Sequence, residues 1–168
     1  MESLNSCEGL FERIHWLIKL RWIAVAGVFL SVFFAVNVLK IPVPDIPLYT
    51  IALILGIYNL ASLVYVNRSR ANFSALANRI ANTQISIDLF ILASLVHFSG
   101  GIENPFIFYF IFHMIIASIL LSMRASFLQA TFAVALFSSL AGLEYFGKIE
   151  HYCLRGFIEC NLHTSPLK

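Results

Sequence analysis

Charge is what this sequence has least of: Asp, Glu, Lys and Arg together make up 12% of it, against about 25% in an ordinary soluble domain. With 60% hydrophobic residues and a mean hydropathy of +0.84, a water-soluble fold of this size could not hide its apolar surface. A basic excess is missing too. The formal net charge is +2 and the basic residues are scattered, which excludes the electrostatic footprint of a nucleic-acid binder. Cysteine is scarce, and Cys7, Cys153 and Cys160 form neither a CxxC pair nor a Cys/His cluster of zinc spacing, so no metal ligands and no disulfide framework can be read from them. A secretory signal is also lacking, because residues 1–19 start acidic and are amphipathic instead of pairing a basic start with an apolar core.

What the sequence does have is apolar runs of membrane length. Crossing about 30 Å of hydrocarbon takes roughly 17 to 25 residues of helix. Five stretches qualify or nearly do: residues 21–39, 48–66, 85–99, 105–122 and 125–146. The expected fold class is therefore all-α, a polytopic transmembrane bundle. Pro42, Pro44 and Pro47 close the first run with a rigid loop. Asn67 to Gln84 is polar, with Arg68, Arg70 and Arg79, and reads as a surface helix joining two spans. Met123, Arg124 and Ala125 make a tight turn between the last two.

The arginines also orient the chain. Arg13, Lys19 and Arg21, then Arg68, Arg70 and Arg79, then Arg124 fall on alternate loops that share one side, whereas the other side holds Lys40 with Asp45, and Glu103. The positive-inside rule places the N-terminus in the cytoplasm of a bacterial inner membrane protein. The expected organisation is a cytoplasmic amphipathic lead-in at residues 1–20, a transmembrane sensor domain at 21–146 and an extracytoplasmic segment at 147–168. Leu10, Ile14, Leu17 and Ile18 recur at helical spacing, so the lead-in either lies on the inner membrane surface or simply extends the first helix. Cys7 is then cytoplasmic, while Cys153 and Cys160 share an outer side where a bridge is permitted but not decided by spacing.

The segment Gly100-Gly101-Ile102-Glu103-Asn104-Pro105-Phe106 sits between the third and fourth runs, at the outer mouth. As structure, two glycines end one helix, Asn104 caps the next and Pro105 starts it. As chemistry, glycine N–H groups, the Asn104 amide and the flat ring of Phe106 are what a quinone head needs. The segment resembles the membrane sensor domain of RegB/PrrB-type redox-responsive sensor histidine kinases, which carries a Gly-Gly-x-x-Asn-Pro-Phe heptapeptide in the corresponding loop. Five fixed positions in seven arise by chance somewhere in a chain this long with odds on the order of 10⁻⁴ at average residue frequencies. Leu20-Arg21-Trp22-Ile23-Ala24-Val25-Ala26-Gly27 is similar to that family's first span.

The resemblance implies a two-component signal-transduction module with six spans, ubiquinone or menaquinone as ligand, a homodimer, and a response regulator reached only through a kinase core. Gly100, Gly101, Asn104, Pro105 and Phe106 would bind the quinone, with His97 close to the same mouth. No phosphoacceptor histidine, ATP lid or asparagine box occurs in these residues, so they hold no catalytic residue and no transferase chemistry. An outer C-terminus implies a sixth span beyond Lys168 before any kinase.

Other polar residues within the spans need partners, because a charge at the bilayer centre costs about 2.5 to 3.5 kcal/mol. Asp88 is expected to pair with Gln84, Arg79 or Arg124, His113 to bond across helices, and Glu144 to meet Lys148 one turn on. The alternative function is a small proton- or ion-coupled transport subunit in which Asp88, His97 and His113 form a path. A quinone-converting enzyme has less support, since no haem-ligand pair is present. The phenylalanines at 106, 108, 110 and 112 are expected to face lipid or pack between helices, with Trp16, Trp22, Tyr49, Tyr65 and Tyr109 as interface anchors.

Overall fold

A computed structural model describes residues 2–40, 44–68, 73–101 and 104–149. The side chains of residues 2–11, 13, 73–77 and 105 lie outside that description, as do Glu103, Cys153 and Cys160 and what the sequence leads one to expect of them. Five α-helices follow one another: α1 (Glu2–Asn37), α2 (Asp45–Arg68), α3 (Phe73–Phe98), α4 (Tyr109–Leu120) and α5 (Met123–Tyr145), with a 3₁₀ turn (Pro105–Phe108) leading into α4. Four are long and apolar enough to cross a membrane. The fifth, α4, has 12 residues after a four-residue 3₁₀ turn, together about 26 Å of rise. This is a polytopic helical bundle, as the composition requires.

Several expected boundaries move: α2 already starts at Asp45, so Pro47 is part of its first turn and not of a loop, and α5 starts at Met123, so the turn expected at 123–125 falls at 121–122. The 1–20 lead-in does not break from the first span: α1 is one helix of 36 residues, and its membrane-length stretch starts at Ile14. Ile14, Leu17 and Ile18 are buried in the core, so this stretch packs against the other helices. Likewise the polar stretch before span three is not a separate surface helix. It runs directly into α3, and Ala81 and Gln84 are buried there.

α1 and α2 are antiparallel. Asn59 Nδ2 donates to the Ile18 carbonyl at 3.0 Å, while Phe29 meets Tyr49 at 5.6 Å between ring centroids, so partners step in opposite directions along the two helices. α3 is the centre of the bundle and touches the other four helices. Of its membrane-length window 44% is buried, against 11% for α5. Ala81, Ile85, Leu89, Leu92 and Val96 make its apolar face, at spacings of three and four that keep one side of a helix toward its neighbours. Gln84 and Asp88, also buried, lie on another.

Outward faces carry Ile23, Leu30, Leu53, Phe127 and Leu128, all more than half exposed, which suits contact with lipid chains. Trp16, Trp22, Tyr65 and Tyr109 are exposed too. The phenylalanine run divides as a helix dictates: Phe106, Phe108 and Phe112 are exposed and Phe110 is buried, its ring edge-on to Phe137 at 6.0 Å.

Candidate functional site

The loop between α3 and the 3₁₀ turn is built by two glycines and one asparagine. Gly100 has φ +121° and Gly101 φ +60°, conformations that side chains with a Cβ rarely adopt. Both glycines are buried, so their N–H groups are not laid open at the mouth as the sequence suggested. Asn104 is the keystone. It is 3% exposed; its Nδ2 donates to the carbonyl and the hydroxyl of Ser99, each at 2.6 Å, and its Oδ1 accepts from the Phe106 N–H at 2.8 Å. The amide thus joins the end of α3 to the start of the next turn, and Pro105 takes the first position of that turn, where no N–H is needed. What Asn104 retains for a ligand is the second lone pair of Oδ1.

Phe106 is 42% exposed and begins a file of rings: Phe106 to Tyr109 at 5.7 Å and Tyr109 to Phe112 at 5.9 Å. The file runs down α4 from the loop.

Behind the loop stands a pair that sequence reasoning missed. Glu144 does not meet Lys148. Its carboxylate is 2% exposed and Oε1 lies 3.1 Å from His97 Nδ1, and it presses against the backbone of Gly101, where a Cβ would sit 2.6 Å from Oε1. Only a glycine leaves room for that carboxylate. His97 also stacks edge-on to Phe98 at 4.9 Å. The expected site residues Gly100, Gly101, Asn104, Phe106 and His97 therefore do gather at one place, with Glu144 of α5 added to them. The available signal was that an acid within an apolar span requires a partner.

Deeper in the bundle Asp88 finds none of the partners expected for it. Arg21 of α1 donates to Asp88 Oδ2 through Nε at 2.9 Å and Nη2 at 2.6 Å, with both side chains nearly buried, 5% and 6% exposed. Arg21, by sequence a cytoplasmic flanking charge, lies inside the bundle, its guanidinium 5.1 Å from the centre of the Tyr58 ring. Gln129 of α5 donates to Asn82 Oδ1 at 2.7 Å and to Ser86 Oγ at 2.8 Å. His113 bonds within its own helix, its Nδ1 at 2.9 Å from the Tyr109 carbonyl, and not across helices. Asp88, His97 and His113, the three residues of the transport alternative, are thus engaged with Arg21, Glu144 and Tyr109 respectively.

No curated protein and no solved structure matches the chain. A family model does: that of the PilS-like transmembrane domain, over residues 5–157, and PilS is a sensor histidine kinase.

Proposed function

The chain belongs to the family of PilS-like transmembrane domains, and so is a membrane sensor module of a histidine kinase; on that premise we propose that its signal is redox state, read from a quinone bound at the 100–106 loop. The observation that carries this reading is the heptapeptide Gly-Gly-x-x-Asn-Pro-Phe together with the half-exposed Phe106 ring at the head of an aromatic file. A quinone arrives through the bilayer, its tail stays in lipid, and its ring needs a flat apolar surface with one or two hydrogen bonds to fix its orientation. Phe106 supplies the surface. His97, whose side chain is 17% exposed, and the remaining Oδ1 lone pair of Asn104 supply polar contacts of both kinds, since an oxidised head accepts hydrogen bonds and a reduced one donates them. Gly100, Gly101 and Pro105 shape the loop backbone around it. In this reading the module works as a homodimer in the bacterial inner membrane with its N-terminus in the cytoplasm, and speaks to a response regulator only through its kinase core.

The test is quinone binding to the purified chain in lipid nanodiscs, with thermal stability measured in parallel. Phe106→Leu keeps apolar bulk and loses stacking, worth about 0.5 to 1.5 kcal/mol, and should weaken binding roughly two- to tenfold at unchanged stability. Asn104→Ser keeps a cap and alters the groups offered to the ligand. If both variants bind quinone as tightly as the parent, the loop is a helix turn and the signal enters elsewhere.

A further inference from the structure

The Arg21–Asp88 pair is only half closed. Asp88 takes both guanidinium bonds on Oδ2, and its Oδ1 is buried with no hydrogen-bond partner among the described residues. The same holds for Arg21 Nη1, Gln84 Oε1 and Asn59 Oδ1, while the Tyr58 hydroxyl stands beside Arg21 and Ser62. The four unpaired atoms come from three helices. Tyr58 lies against the guanidinium, Gln84 is one turn before Asp88 on α3, and Asn59 is tied to Ile18, one turn before Arg21 on α1.

Donors and acceptors are both present in this set, and the charges of Arg21 and Asp88 cancel. A buried polar group left unpaired is destabilising, so four together would be a heavy burden for one small bundle. An ion of either sign would upset the charge balance, and a lipid chain or quinone ring would leave the donors unmet. Water meets all of them, because each molecule donates twice, accepts twice and is held where two to four polar partners converge.

We propose that the space enclosed by Arg21, Tyr58, Asn59, Gln84 and Asp88 is a water-binding site within the membrane interior, where bound water completes the ion pair between α1 and α3. Its depth makes the site unusual. Asp88 is the eleventh residue of the 21-residue stretch Asn78–Phe98, midway along a helix that crosses the bilayer, and lies well below the outer loop that follows Phe98.

The experiment is proton-detected solid-state NMR on the full chain in lipid bilayers, with arginine side chains selectively labelled and Arg21 assigned by the signal lost in Arg21→Lys. Magnetisation transferred from water should reach the Arg21 guanidinium at short mixing times, as it does the solvent-exposed Arg124. Tyr58→Phe and Gln84→Leu should each reduce that transfer and lower the melting temperature, since each removes an anchor for water. A dry site gives opposite results: no transfer to Arg21 in the parent chain, and a higher melting temperature in Gln84→Leu, where an unpaired amide oxygen has been deleted. The parent measurement decides the matter even if a variant does not fold, and absence of transfer to Arg21 overturns the proposal.

Discussion

Removing either half of the Arg21–Asp88 pair should damage the protein far more than removing both. Each side chain is more than nine-tenths buried, and the contact joins α1 to α3 at 2.6 Å. Asp88→Leu leaves a guanidinium in the bundle without its counter-ion, and Arg21→Met leaves a carboxylate in the same state. Breaking a buried pair from one side costs about 3 to 5 kcal/mol. Replacing both by apolar residues of similar volume is often neutral or better, because neither charge then has to be kept out of water. The double variant Arg21→Met with Asp88→Leu should therefore recover most of what each single change loses, a coupling of several kcal/mol. Asp88→Asn falls between these cases, since the amide oxygen still accepts from Arg21 but no longer balances its charge. The assay is reversible unfolding in mixed micelles, titrated with a denaturing detergent and followed by helical circular dichroism. If the double variant loses the sum of the two single losses, the residues do not interact and the pairing is wrong.

Two further outcomes follow from the loops. In a chain whose native cysteines are replaced by serine, Arg124→Cys should react with an impermeant thiol reagent only from the cytoplasmic side and Glu103→Cys only from the outside; the reverse labelling would invert the orientation. Gly101→Ala should lower the melting temperature, because an L residue at φ +60° costs about 1 to 2 kcal/mol and its methyl group would collide with Glu144. Adding Glu144→Ala should return the part due to collision and leave the backbone part, whereas a Gly101→Ala chain as stable as the parent would show that the carboxylate moves aside freely.

The bundle was legible in the sequence because hydropathy alone forces it. Helix ends were less so. Glycine marked the end of α3 at residues 100 and 101, but Pro47, expected in a loop, lies inside α2, and the polar residues up to Gln84 suggested a surface segment where the structure has the partly buried first turns of α3. Asn82, Gln84 and Ser86 look polar enough for solvent, and two of them are polar because Gln129 reaches them from α5. In the loop, the heptapeptide located the site, but its asparagine turned out to be committed first to the chain itself. Capping chemistry is local and could be read; the arrival of Glu144 behind Gly101 depends on packing between helices 47 residues apart and could not.

That separation nevertheless carries information about topology. Asn82 pairs with Gln129 and His97 with Glu144, and both contacts span 47 residues. Partners that keep a constant offset advance together, so α3 and α5 run parallel and in register. Each pair of contacts is 15 residues apart along its own helix, about 22 Å of rise, which is most of the hydrocarbon thickness. For Gln129 to lie level with Asn82 and Glu144 level with His97, the chain must return over at least that distance between them, and among the described residues the 3₁₀ turn and α4 make the return. Their combined rise of about 26 Å exceeds the separation of the two levels. α4 therefore runs the length of the bundle although it is short, and the alternation of the five described helices brings Glu144 to the loop where Gly100, Gly101 and Asn104 lie. Had α4 been a re-entrant or surface helix, α5 would meet α3 with its direction reversed, and the offset between the two contacts could not be equal.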